Sequence, residues 1–226
     1  STSPERVMTA TFEWNNIDTV LLDMDGTLLD LYFDNYFWQV LLPKHWGELQ
    51  GITATQALQQ LMDWYEKEKG KLPWYCLDYW TDRLGFDVFA LNSHAEHLIK
   101  MRPYAESFLQ HLAAKDLNVV LVTNAYQKLV GLKMEITGID SYFDHIISSH
   151  DIGYAKEEQE FWHKLNDRIS FCKERALLID DNLTVLRSAK QYGIEHCLAI
   201  AKPDSQIDAQ DTMEFYAIHS FADLFT

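Results

Sequence analysis

Short apolar runs recur along this chain, separated by stretches in which apolar positions fall every third or fourth residue. Val20-Leu21-Leu22 is the first run. After about residue 100 the alternation becomes regular. Pro103 is expected to open a helix to about Lys115 with Phe108, Leu109 and Leu112 on one face, and Val119 to Val122 reads as a β-branched strand. Tyr126 to Ile136 reads as a helix closed by Gly138, His145 to Ser148 as a strand, and Glu157 to Asn166 as a helix. Ala176 to Ile179 is a strand, Thr184 to Tyr192 a helix closed by Gly193, and Cys197 to Ile200 a strand. Short apolar strands alternating with helices predict an α/β fold whose parallel sheet is covered on both faces.

Residues 33–99 break this rhythm, with no convincing strand and two amphipathic stretches, Thr53 to Lys69 and Trp74 to Leu84. They predict an inserted helical domain within a core formed by 1–32 and 100–226. Five of the seven tryptophans lie in it: Trp38, Trp46, Trp64, Trp74 and Trp80. Large side chains filling the core of a small bundle account for most of them, and one or two facing a ligand is the sharper alternative. The final segment, Asp211 to Thr226, carries no clear pattern.

Composition bounds the class. The 226 residues are 47% hydrophobic, enough for one substantial core and a small accessory domain. Cys76, Cys172 and Cys197 are far apart and odd in number, which fits reduced thiols in a cytoplasmic protein. Ser1 to Asn16 has no apolar stretch suited to a signal peptide, and no later run approaches a membrane span. The net charge of -15, with no basic cluster to offset it, disfavours a nucleic-acid polymer as partner. It leaves room for a small anion held by a metal ion, a lysine and aimed backbone N–H groups.

The candidate chemistry lies at strand ends. Val20 to Leu22 stops at Asp23-Met24-Asp25-Gly26-Thr27, two carboxylates followed by a glycine that lets the chain turn sharply. A helix-loop-helix calcium site is excluded by spacing, because its sixth and twelfth positions would be Leu28 and Asp34 instead of Gly and Glu. The later strands lead to Thr123-Asn124, Lys156 and Asp180-Asp181. Singly these read as a helix cap, a surface charge and a turn. Adjacent aspartates at the end of an apolar strand would nonetheless repel each other unless a cation or hydrogen bonds compensate, and a bound metal removes that conflict.

These four motifs, in order, resemble those of the haloacid dehalogenase superfamily, and the insertion resembles its small α-helical cap on a Rossmann-like core. Leu28 to Trp38, Trp74 to Trp80 and Gly153 to Glu157 are more closely similar to the bacterial GMP/IMP nucleotidases of that superfamily, with one departure at Ala155, where relatives often carry proline. The resemblance implies Asp23 as the nucleophile forming an aspartyl phosphate and Asp25 as the proton donor and acceptor. It implies Mg2+ held by Asp23, the Asp25 carbonyl, Asp181 and, directly or through a water, Asp180. Lys156 and Thr123, with backbone N–H groups around Met24, Asp25 and Asn124, would bind and stabilise the phosphoryl oxygens.

The implied substrate is a phosphomonoester, a purine nucleoside monophosphate (GMP or IMP) in the narrowest reading, with Asn35, Tyr36, Trp74 and Tyr75 as candidates for contact with the leaving group. A sugar-phosphate phosphatase or phosphomutase shares the same motifs and differs in the cap. Haloacid dehalogenation is disfavoured, since that branch does not need the second aspartate or the metal. A phospho-accepting receiver also combines acidic residues, a Thr and a Lys, but its acidic pair comes first and its domain is about half as long.

Overall fold

The computed structural model describes residues 12–225, so the expectation drawn from Ser1 to Asn16 falls largely outside the described part. Strand β1 (Thr19–Leu22) leads into helices α1 (Tyr32–Tyr36), α2 (Leu42–Gln50), α3 (Ala54–Glu68), α4 (Leu72–Tyr75), α5 (Leu77–Leu84) and α6 (Val88–Leu91), with a π-helical turn at Phe37–Leu41. Then follow α7 (Ala105–Ala113), β2 (Asn118–Thr123), α8 (Gln127–Thr137), β3 (His145–Ser148) and α9 (Ser149–Ile152). The chain continues through α10 (Gln159–Ile169), β4 (Ala176–Ile179), α11 (Leu183–Tyr192), β5 (His196–Ile200) and β6 (Ala217–Ile218).

Among the described residues the six strands are all parallel, in the order β3-β2-β1-β4-β5-β6. β1 and β4 are wholly buried, which explains why they read as unbroken apolar runs. Alternate residues face opposite layers: Leu21, Val120, Val122 and Leu178 pack with Phe161, Trp162 and Leu186, whereas Val20, Leu22, Leu121 and Ile179 join Phe108 and the inserted helices. Leu22 lies opposite both Leu121 and Ile179, so Asp23 and Asp180 leave the sheet side by side. This register delivers the acidic residues to one edge.

Residues 32–99 contain no strand. Their entry and exit run together, with Leu29 bridging Met101, Asp30 N–H donating to the Lys100 carbonyl at 2.9 Å, and Arg102 N–H to that of Leu28 at 2.8 Å. Helix α3 begins at a capping box in which Thr53 accepts from Gln56 N–H and the Gln56 side chain accepts from Thr53 N–H.

Several expected boundaries move. Trp74 to Leu84 is not one helix: the chain is extended at Cys76, between α4 and α5. The Trp80 indole N–H donates to the Trp74 carbonyl at 3.0 Å, taking the acceptor that a continuous helix would offer to residue 78. Packing of the large rings outweighs local helix propensity there. The helix expected from Pro103 starts only at Ala105, because Tyr104 is left-handed with φ 63°. That expected from Glu157 to Asn166 spans Gln159–Ile169, and the unpatterned end of the chain supplies the short strand β6.

Candidate active site

The turn after β1 is shaped by its contact with the loop after β4. Gly26 has φ +82°, and a Cβ built there would lie 2.6 Å from Cγ of Asp181, so both conformation and space demand glycine. The backbone N–H groups of Met24 and Asp25 find no partner among the described residues, while the Met24 carbonyl accepts from Leu28 and Leu29. Met24 as a whole is buried, between Asp23 and Asp25, which both line the cavity described below.

Lys156 is the centre of the edge. Its ammonium donates to Asp23 Oδ1 at 2.9 Å, Asp180 Oδ2 at 2.7 Å and the Val122 carbonyl at 2.9 Å, using all three donors. Burial works against this charge, but Asp180 and Asp23 outweigh it and hold the ammonium above its ordinary pKa. The other Asp23 oxygen accepts from the Thr27 hydroxyl at 3.0 Å. Burial, then the charge of Asp23, pushes the Asp180 carboxyl up to about 7, and burial with both neighbours pushes Asp181 well above the carboxylate range. Asn124 accepts from Lys156 N–H at 2.9 Å, and the buried Thr123 hydroxyl accepts from Ala125 N–H at 3.0 Å.

A second ammonium, which the sequence reading missed, serves Asp25. Lys133 of α8 donates to Asp25 Oδ1 at 2.6 Å and to Asp34 Oδ1 of α1 at 2.8 Å, and its Nζ lies 4.6 Å from the Phe33 ring centre. Burial raises the Asp25 carboxyl against the pull of Lys133, and burial with the nearby Asp25 raises Asp34 to about 7. Burial also works against the Lys133 charge, yet its two carboxylate partners keep the ammonium above its ordinary range.

The edge opens into a cavity of about 260 Å3. Asp23, Asp25, Thr123, Asn124, Lys156, Asp180 and Asp181 all line it, together with Asp34, Asn35, Trp38, Trp74 and Tyr75 from the inserted segment. Tyr36 does not line it; its ring packs on Tyr32 at 6.0 Å. Asn35 is held by the buried Asp204, to which its side chain donates at 2.7 Å. Trp38, also missed from sequence as a site residue, pairs with Trp74 at 5.2 Å between ring centres. Tyr75 donates to Glu157 at 2.7 Å, and Glu157 accepts from Asn124 on its other oxygen at 2.8 Å, linking the insertion to the sheet edge. Burial, then Glu157, holds the Tyr75 phenol well above its usual pKa.

A family profile of haloacid dehalogenase-like hydrolases matches residues 17–193, spanning all the strand ends just described. The chain is a haloacid dehalogenase-like hydrolase. Among its relatives, GMP/IMP nucleotidase YrfG of Escherichia coli is 43% identical over 194 residues, covering 86% of this chain and 87% of that protein. The phosphorylated carbohydrates phosphatase of Thermotoga maritima is 22% identical over 193 residues, covering 81% and 85%. A solved HAD phosphatase from Thermococcus onnurineus shares the fold at a TM-score of 0.74 and 21% identity, covering 92% of this chain and 95% of that one.

In this haloacid dehalogenase-like hydrolase, Asp23, Asp180 and Asp181 can each offer an oxygen within 4.8 Å of the others. Three acidic groups face one lysine, and the donors are hard oxygens without sulfur or imidazole, a set that suits Mg2+. No helix among the described residues is long and apolar enough to cross a membrane.

Proposed function

We propose that the protein is a Mg2+-dependent phosphomonoester hydrolase of the cytoplasm, acting on purine 5'-nucleotides such as GMP and IMP. The observation that carries the chemistry is the convergence of Asp23, Asp25, Lys156, Asp180 and Asp181 on one cavity. The 43% identity with a GMP/IMP nucleotidase supports the nucleotide. Residues 1–32 and 100–226 act as the catalytic core and 33–99 as a cap. Trp38 and Trp74 line the cavity and would meet the base, and base stacking on an aromatic is worth about 1 to 3 kcal/mol.

Mg2+ would be held by Asp23, Asp180, Asp181 and the Asp25 carbonyl, and would supply positive charge against the substrate phosphate. Asp23 attacks phosphorus, forming an aspartyl phosphate as the bond to the leaving oxygen breaks. That oxygen takes the bond's electron pair and a proton from Asp25. Water then attacks the phosphorus, gives its proton to Asp25 and releases Asp23 as a carboxylate. Lys156, the Thr123 hydroxyl and the N–H groups of Met24 and Asp25 stabilise charge on the phosphoryl oxygens. Asn124 supports them by fixing the Lys156 backbone.

Phosphate release from a panel of phosphomonoesters, after chelation and after added magnesium, tests this reading, with acid-quenched label located on the chain. Release should need magnesium, favour GMP and IMP, and leave label on Asp23 and none in Asp23→Asn. Activity that survives exhaustive chelation, or label on another residue, would overturn it.

A further inference from the structure

Lys133 has no place in the chemistry above, yet its ammonium reaches the proton-handling carboxyl. It belongs to α8, where its inward neighbours Leu129, Val130 and Met134 are apolar, and it is 1% exposed. Its two anionic partners come from different parts of the chain. Asp25 follows β1, and Asp34 lies on the first helix of the insertion. A buried ion pair of this kind does little for stability compared with a well-packed apolar side chain, so the fold alone does not require it. The far oxygen of Asp34 is also buried without a hydrogen-bond partner, a cost that an arrangement serving only stability would avoid.

We propose that Lys133 is a positioning residue for Asp25, fixing one oxygen of its carboxyl through a cation that is itself seated by Asp34 of the cap; this rests on the reading of Asp25 as proton donor and acceptor. Lys133 occupies Oδ1, so Oδ2 is the oxygen free to carry the exchanged proton. Asp25 lines the cavity and Lys133 does not, so the cation acts from behind the carboxyl and leaves the substrate side open. Asp34 places the cap in the same circuit. When the first cap helix is seated, Lys133 is held between the two carboxylates and Asp25 is aimed; when it is not, the ammonium loses one of its anchors and Asp25 its fixed direction.

The test uses the dependence on leaving group, which a purely structural role would not produce. An alkoxide leaves phosphorus only if it receives the Asp25 proton, whereas p-nitrophenolate is stable enough to leave without one. Rapid-mixing measurements with magnesium should compare phosphorylation of the full-length enzyme by IMP and by p-nitrophenyl phosphate. Lys133→Met should slow phosphorylation by IMP about a hundredfold, yet slow the first burst of nitrophenolate less than about fivefold. Steady turnover of the aryl ester should still fall, since water in the second displacement must give its proton to Asp25.

Asp34→Asn keeps the Lys133–Asp25 pair and should show the same selectivity at about a tenth of the size, which carries the test if Lys133→Met fails to fold. Lys133→Arg should restore part of the loss on IMP. Equal losses on both substrates in folded variants, or no loss on either, would overturn the proposal. If the wild type spares IMP but turns over another alkyl phosphate, the nucleotide reading fails, and the same comparison with that ester still judges Lys133. If it turns over no alkyl phosphate, both fall.

Discussion

Two buried ammonium groups each bridge two carboxylates, and they differ in where their partners come from. Lys156 joins Asp23 and Asp180, which the register of β1 and β4 already sets side by side, and it adds the Val122 carbonyl of β2. Lys133 joins Asp25 to Asp34, so one of its partners depends on the seating of the inserted helices. The same chemistry thus serves a fixed frame in one place and a contact between two parts in the other. A charge whose partners share one sheet edge is preorganised by strand pairing, while one that spans a seam registers whether the seam is made.

The largest separation of the two should come from Lys156→Met. It removes the donor to Asp23, the proposed nucleophile, and strands two buried carboxylates, so kcat should fall by at least about 10³-fold and stability by about 3 to 5 kcal/mol. Steady-state kinetics and denaturant unfolding check this. A smaller stability loss in Lys133→Met would follow from Asp25 and Asp34 being the more exposed pair, at 19% and 16% of their side-chain surface against 9% and 1%.

Gly26→Ala probes the fixed frame without altering a charge. The new methyl meets Asp181 and strains a positive φ, so about 1 to 3 kcal/mol of stability and about tenfold in kcat should be lost, with weaker magnesium binding by calorimetry. Unchanged metal affinity would show that Asp181 can move aside.

The seam is probed more gently by two phenols. Tyr75→Phe and Tyr126→Phe each delete one hydrogen bond between insertion and core, to Glu157 at 2.7 Å and Asp78 at 2.8 Å, and each should cost about 0.5 to 1.5 kcal/mol. Only Tyr75→Phe should also lower kcat/KM, by about threefold to tenfold, because Glu157 is tied to Asn124 at the strand end. Equal kinetic effects would mean that the seam works as a whole.

The smallest effect concerns His150, whose imidazole lies 3.1 Å from the Asn124 carbonyl and whose pKa burial pushes below the usual 6.5. The unfolded chain then takes up a proton that the native state resists. Stability from this group is present above pH 6.5 and is lost as pH falls through 6.5 toward the lowered native value. His150→Gln should flatten the acid-side slope by less than about 1 kcal/mol, measured by urea unfolding at about pH 5 and about pH 8.

The strand ends were legible because parallel strands buried on both faces show themselves as unbroken apolar runs, and the first polar residue after each marks the edge. Asp23, Thr123 and Asp180 follow from that rule. Lys133 escaped because a lysine in a helix reads as solvated, although its place four residues after Leu129 and three after Val130 puts it on the apolar face of α8. A lysine at such a position is the signal that could have found it. The break at Cys76 had no local signal, since it depends on Trp80 reaching back to the Trp74 carbonyl. β6 was hidden by its length, two residues paired only to Ala199 and Ile200. Trp38 and Tyr36 have similar local surroundings, and only the folded chain separates the one that faces the cavity from the one that packs on Tyr32.

The paired entry and exit of the insertion bear on how such a chain tolerates change. Leu29 and Met101 already meet as an antiparallel bridge, so the ends of the inserted segment are joined before its interior is specified. For ends so close, closing a loop costs free energy that grows only with the logarithm of loop length, about 0.6 kcal/mol per doubling. Helices can therefore be lengthened, shortened or exchanged between these two threads with little entropic consequence for the sheet. The limit is set by the contacts across the seam, such as the carboxylate that Asp34 presents to Lys133.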